Sequence, residues 1–207
     1  MRYVAVAAVA FDMGGVLTQP PFGGLEEYAR RLGLPDDAFK RYFRGDAMMG
    51  RLETRDITSR EFFKYVCVSC QAQHEVRVDI HELAAAAQKG ERLRTDALDL
   101  VREVHHRAKT ALLTNNVETA GWRTSFPFDL FDVVVDSSQV GVRKPEPAIY
   151  RLLVEALSLE PGAIAFFDDF DENVHPATQL GIQAFIFTTV EDCRAILTQL
   201  GVLGPPS

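Results

Sequence analysis

Cysteine is scarce in this chain, three residues in 207. An odd and sparse count supports no disulfide framework, so a reducing cytoplasm is the expected setting. Basic residues are also in short supply: 22 lysines and arginines stand against 29 aspartates and glutamates, a formal net charge of −7. Nucleic acids and anionic membranes recruit basic faces, so neither is expected as a partner. No apolar run approaches the roughly 20 residues that span a bilayer. The N-terminal apolar stretch runs into Asp12 and two glycines without a small-residue cleavage pattern, so it does not read as a signal peptide. There is no internal repeat, and no low-complexity tract beyond the Gly-Pro-Pro-Ser tail. What remains, at 47% hydrophobic and 25% charged residues, is an ordinary globular composition, sized for one domain with a large insertion or two small ones.

The segment from Val4 to Thr18 carries the most information. Its apolar run ends on Asp12 and turns on Gly14 and Gly15. A near-continuous run of Val, Ala and Phe reads as a strand buried on both faces of a parallel sheet. Ligands bind at the C-terminal ends of such strands, which places Asp12 where chemistry is done. The glycines let the backbone turn sharply and come close to a ligand. In the second half, strand-like and helix-like segments alternate. A helix is expected over 91–107, a strand over Lys109–Thr114, a strand over Phe131–Asp136 and a helix over 146–158. They are followed by a strand over Ala163–Phe167, a helix over Asn173–Leu180, a strand over Gln183–Phe187 and a helix near 190–200. That alternation means βαβ units and an α/β fold, a Rossmann-like parallel sheet with helices on both faces. Residues 20 to 90 differ in kind, with helical patterns over Leu25–Leu32, Asp36–Phe43, Ser59–Val68 and Val78–Ala87 and no buried strand. They read as an inserted helical subdomain lying over the C-terminal edge of the sheet.

Four strands deliver polar groups to that edge: Asp12, Thr114, Lys144 shortly after the third strand, and the pair Asp168 and Asp169. A carboxylate that attacks phosphorus must be shielded from charge repulsion. The shielding calls for a divalent cation held by carboxylates, a hydroxyl or backbone donor for the phosphoryl oxygens, and a lysine to balance charge. Mg²⁺ suits such a site, because it takes oxygen ligands, keeps waters and is shared with substrate phosphate. Adjacent carboxylates directly after Phe166 and Phe167 would repel each other without a cation. Thr114-Asn115-Asn116 also reads as a helix N-cap, a position that itself binds phosphate oxygens.

Four motifs in this order resemble the haloacid dehalogenase superfamily of aspartate-nucleophile hydrolases. They are Phe-Asp12-Met-Gly-Gly-Val-Leu, Leu-Leu-Thr114-Asn115-Asn116, Gly141-Val-Arg143-Lys144-Pro145-Glu-Pro147, and Phe-Phe-Asp168-Asp169-Phe-Asp-Glu-Asn173. The resemblance covers essentially the whole chain. It implies a core of residues 1–18 and 91–207 with a C1-type helical cap over 19–90. Within the superfamily, the chain looks most like the sugar-phosphatase and epoxide hydrolase N-terminal domain branch. The resemblance further implies that Asp12 is the nucleophile, that Thr114 and Asn115 hold the transferring phosphoryl group, and that Lys144 neutralises it. Mg²⁺ would be held by Asp12, the Gly14 carbonyl, Asp168 and Asp169, and the substrate would be a small phosphorylated molecule.

The sequence departs from the pattern at Gly14, where most phosphatases of the superfamily carry a second Asp as general acid. General acid–base help is typically worth ~10²–10⁴-fold. The departure leaves three readings open: substrates with good leaving groups, such as anomeric sugar or acyl phosphates; a proton supplied from the cap; or lost catalysis. A 2-haloacid dehalogenase is the enzymatic alternative, since halide leaves without a proton, although displacement at carbon has no use for the Asp168–Asp169 pair. A catalytically weak homologue that binds a phosphorylated ligand or a protein partner is the other. Cys67-x-x-Cys70 with His74 lacks a second ligand pair and reads as cap core rather than a zinc or redox site. His105 and His106 read as a solvated face, and Trp122 has no assignable role. Arg41, Arg44 and Arg51, with the segments around Phe22-Gly23-Gly24 and Met48-Met49-Gly50, are the cap positions that could meet an anionic substrate.

Overall fold

A computed structural model describes residues 5–19, 22–89, 92–117 and 126–204; Trp122 lies outside them. Five parallel strands, β1 (Ala8–Phe11), β2 (Lys109–Thr114), β3 (Val133–Asp136), β4 (Ile164–Asp168) and β5 (Gln183–Ile186), lie in the order β3-β2-β1-β4-β5. The helices between and after them are α6 (Thr95–His105), α7 (Ser137–Val140), α8 (Pro147–Leu157), α9 (Asp171–Gln179) and α10 (Val190–Gln199). The expected α/β sheet with helices on both faces is therefore present.

The strands are apolar on both sides because both sides are covered. Val9, Phe11, Leu112, Ala165 and Phe167 pack with residues of α6 and α10. The alternate positions Ala8, Ala10, Leu113, Ile164 and Phe166 pack with Ile149, Leu153 and Leu157 of α8 and Ala177 of α9. Burial of this kind contributes roughly 25 cal/mol per Å² of apolar surface.

Between β1 and α6 come α1 (Gly23–Arg31), α2 (Lys40–Phe43), α3 (Ala47–Glu53), α4 (Ser59–His74) and α5 (Ile80–Gln88), which gather a core of their own around Tyr28, Phe39, Phe62 and Leu83. A capping box starts α4: Glu61 N donates to Thr58 Oγ1, and Thr58 N donates to Glu61 Oε2. Asp79 caps α5 by accepting from the amides of His81 and Glu82. Helix α1 lies close against α5 because position 24 is glycine; a Cβ there would overlap Ala86 O. Two departures from the sequence reading occur here. The expected helix over Asp36–Phe43 is helical only from Lys40, its first half being a turn after Pro35. Helix α4 runs six residues past Val68, to His74. Cys70 is fully buried and Cys67 half-buried, as the core reading expects, and burial pushes both thiols up. The segments that enter and leave the helical unit run side by side: Thr18 bridges Leu93, Gln19 N donates to Arg92 O, and Arg94 N donates to Leu17 O.

Candidate active site

The sheet register decides which strand ends meet. Phe11 pairs with Phe167, so the next residues, Asp12 and Asp168, emerge side by side, and Asp12 N donates to Phe167 O at 2.9 Å. On the other side, Phe11 pairs with Leu112, which sets Thr114 near the same edge. From β1 the chain builds outward through β2 and β3, then returns to start β4 beside β1. The crevice between β1 and β4 is the topological switch point, where open α/β sheets bind ligands.

Lys144 occupies the crevice and is 1% exposed, so it is not the surface lysine that its place before a proline would suggest. Its three ammonium protons are all used: Nζ donates to Asp12 Oδ1 at 2.6 Å, to Asp168 Oδ2 at 2.7 Å and to Leu113 O at 2.9 Å. Asn115 fixes the lysine's backbone, donating from Nδ2 to Lys144 O and accepting from Lys144 N, both at 2.8 Å. The sequence reading makes Asn115 a phosphoryl-binding candidate; this clamp uses its Oδ1 and one of its two Nδ2 protons. Thr114 Oγ1 has a long contact with Asn115 O, 3.4 Å. Residues 115–117 are not helical, so the N-cap reading of Thr114-Asn115-Asn116 finds no helix among the described residues.

The two adjacent carboxylates do different things. Asp168 Oδ1 accepts from Phe170 N and Asn173 Nδ2, and Oδ2 accepts from Lys144 Nζ and Asn173 Nδ2. Both oxygens of Asp168 are thus engaged by protein donors, two of the four contacts coming from Asn173 Nδ2. Asp169 Oδ1, by contrast, is buried and accepts no hydrogen bond. Oxygens of Asp12, Asp168 and Asp169 lie within 4.8 Å of one another, a set able to hold a metal ion. An orphaned buried carboxylate oxygen beside two further carboxylates fits a hard divalent cation with oxygen ligands. Burial pushes Asp12 up to about 7 against the pull of Lys144, with Asp168 and Asp169 adding to the push. Burial and then Asp168 push Asp169 up to about 6. Lys144 is held above its usual value because the two carboxylates outweigh the effect of its own burial.

The two glycines of the first turn have separate reasons. Gly15 has φ +81°, and a Cβ there would overlap the Asp169 carboxylate. Gly14 has open space around its missing Cβ and lines the cavity, so no steric demand makes it glycine. Gly15→Ala is expected to lose about 1–2 kcal/mol from the left-handed backbone alone and to displace Asp169. Gly14→Ala is expected to unfold within about 0.5 kcal/mol of the parent. Paired thermal and denaturant melts check the contrast.

Over the crevice lies a cavity of about 250 Å³ lined by Asp12, Gly14, Thr114, Asn115, Lys144 and Asp169 from the sheet edge and by residues of α1–α5 from above. Of the cap arginines, only Arg44 lines it, its guanidinium 4.3 Å above the Phe170 ring. Arg41 donates instead to Tyr42 Oη, and Arg51 is exposed. Phe22 and Met49 line the cavity, whereas Gly24 faces α5. Four contributors went unassigned in the sequence. Asn173 positions Asp168. Arg143 Nε forms a 2.6 Å ion pair with Glu53 Oε2 of α3, tying the helical unit to the sheet, and Ser137 Oγ donates to Glu53 O nearby. Burial raises Glu53 despite that partner. No sequence pattern joins residues ninety apart, although Arg143 stands beside Lys144 in the third motif. His105, read as solvated, is half-buried, with Nδ1 3.0 Å from Thr110 Oγ1.

Comparison with known proteins agrees with this geometry. Residues 6–181 match the profile of the haloacid dehalogenase-like hydrolases. Phosphatase MT3486 of Mycobacterium tuberculosis is 31% identical over 218 residues, covering 97% of this chain and 96% of that one. Bifunctional epoxide hydrolase 2 of Sus scrofa is 26% identical across 95% of this chain, which spans only 38% of that protein's length. A solved enzyme of Bacteroides thetaiotaomicron, in complex with magnesium and inorganic phosphate, superposes with a TM-score of 0.70 at 23% identity, over 88% of this chain and 94% of that one.

Proposed function

Because this chain belongs to the haloacid dehalogenase-like hydrolases, we propose that it is a Mg²⁺-dependent phosphatase of small phosphate esters. The observation that carries this reading is the crevice cluster: a buried Asp12 held by Lys144, beside an Asp169 oxygen with no partner. Residues 19–90 act as the cap, and residues 1–18 with 91–207 as the core. Asp12 is the nucleophile and Lys144 neutralises the phosphoryl charge. Thr114 donates to a phosphoryl oxygen, and Asn115 holds Lys144 and the phosphoryl group in register. Asp12, the Gly14 carbonyl and Asp169 hold the cation, with Asp168 adding charge while it orients Lys144. The cation, when bound, neutralises the carboxylates and the incoming phosphate. The leaving group is one that departs without a proton, since position 14 offers no acid. A reducing cytoplasm suits three unpaired cysteines.

Phosphate release from 4-nitrophenyl phosphate is expected with Mg²⁺ and is expected to vanish with EDTA. Absence of turnover in both, or metal-free chloride release from 2-chloropropionate, overturns the reading. A pH dependence follows from the carboxyls. Asp12 and Asp169 titrate higher when folded than the 3.8 of an ordinary Asp, so they bind protons more tightly in the folded state. Their contribution to metal-free stability is present below pH ~4 and is lost as pH rises through about 6 to 7. Mg²⁺ competes with those protons. The rise in melting temperature on adding Mg²⁺ is therefore expected to be larger at pH 8 than at pH 5; an equal or reversed rise contradicts the assigned ligands.

A further inference from the structure

The cavity is divided by chemistry. Its sheet edge is polar and charged, whereas the surface facing it from the cap is formed mainly by Phe22, Leu25, Phe43, Met49, Leu52 and Phe63. The polar side chains on the cap side are few, Arg44, Glu53, Ser59 and Gln88; Glu53 is paired with Arg143, and Arg44 lies flat over the Phe170 ring. Gln88 is exposed. A polyhydroxylated leaving group would set most of its hydroxyls against the apolar part of this wall, where they lose their hydrogen bonds to water. Three phenylalanines and a methionine instead fit a flat apolar ring. The volume, about 250 Å³, lies below the range of sites for drug-sized ligands, which admits one ring system beside the phosphoryl group and not a long chain.

The floor of the cavity leads to the same class. The space at Gly14 holds no acid, the cap-side carboxyl of Glu53 is paired with Arg143 and Glu172 is exposed, so the leaving oxygen departs as an anion. An aryl oxygen can do that, because its charge delocalises into the ring, and so can an acyl or, less well, an anomeric oxygen, whereas an ordinary alkyl oxygen cannot; among these the apolar wall selects the aryl ring. We propose, resting on the phosphatase reading above, that the substrates are aryl phosphates, monoesters of small apolar phenols, rather than sugar phosphates. In the step, an Asp12 oxygen forms a bond to phosphorus while the phosphorus–aryl oxygen bond breaks. The electron pair leaves on the aryloxide, which takes its proton from solvent. Water then attacks the aspartyl-phosphate, releasing inorganic phosphate and restoring the Asp12 carboxylate.

Two substrate pairs test this on the unmodified protein with Mg²⁺. 4-Ethylphenyl phosphate and O-phosphotyrosine have leaving phenols of similar acidity but different polarity. The apolar member is expected to have a kcat/KM higher by at least about tenfold, chiefly through KM. Phenyl phosphate and cyclohexyl phosphate share size and apolarity but differ in leaving-group acidity, and kcat is expected to favour phenyl by about 100-fold or more. Glucose 1-phosphate and glucose 6-phosphate are expected to fall below both aryl esters. Met49→Gln is expected to narrow the first ratio by raising KM for 4-ethylphenyl phosphate with kcat little changed. If 4-nitrophenyl phosphate is turned over but phosphotyrosine or a glucose phosphate equals or exceeds 4-ethylphenyl phosphate, the aryl assignment is overturned and the phosphatase reading stands. If 4-nitrophenyl phosphate itself is not turned over, both fail.

Discussion

Asp12→Asn is expected to abolish phosphate release, with a loss on the order of 10⁴–10⁶-fold, the size seen when a nucleophile is removed from a cooperating set. The same substitution is expected to leave the fold intact. Asp12 is 6% exposed, and its burial already disfavours the charge that it carries as a nucleophile. Lys144 keeps two acceptors after the exchange, Asp168 Oδ2 and Leu113 O, so its ammonium is not stranded. A melting temperature within a few degrees of the parent, together with lost turnover, assigns the defect to chemistry. A variant that retains turnover shows that Asp12 is not the nucleophile.

Lys144→Met is expected to produce the largest loss of stability. Methionine matches the length of the lysine stem but leaves Asp12 and Asp168 facing each other with no cation between them. Removing one member of a buried charged set costs about 3–5 kcal/mol, because the remaining charges stay desolvated. In a chain of this size, each kcal/mol moves the melting temperature by about 2–4 °C, so a fall of roughly 6–20 °C is expected. The deficit should shrink toward pH 5, where Asp12 takes up a proton and the repulsion is relieved. Turnover is expected to fall with it, since the substitution removes the ammonium that sits between Asp12 and Asp168. A Lys144→Met protein as stable as the parent at pH 8 would mean that Lys144 does not bridge the two carboxylates.

The sheet and its reactive edge were legible because buried parallel strands announce themselves as apolar runs, and three of the five, β1, β2 and β4, end on, or run directly into, polar residues of the crevice. Asp12, Thr114 and Asp168-Asp169 mark strand ends in the sequence, and the register then brings Asp12 and Asp168 side by side. Short elements were not legible. Helix α3 contains Met48, Met49 and Gly50 and has little helical periodicity, although Asp46 caps it by accepting from Met48 N. Helix α7 is only four residues long. The glycines were read together, yet their roles diverge: Gly15 is shaped by the approach of Asp169, which arrives from the far end of the chain, whereas Gly14 is open. Similarly, the Glu53–Arg143 pair and the apolar cap wall exist only once α3 is set over the sheet. Motifs located the chemistry, but the substrate wall required the packed cap.

The central claim is that Asp12 accepts the phosphoryl group, and trapping the covalent intermediate tests it most directly. Enzyme mixed with 4-nitrophenyl phosphate and Mg²⁺, quenched in acid and reduced with borohydride, should yield homoserine at position 12 in the digested peptide, because borohydride reduces an acyl phosphate and spares a free carboxylate. Homoserine at position 12 that depends on both substrate and Mg²⁺ is the expected result. An unmodified Asp12 during active turnover, or homoserine at another aspartate, would contradict it.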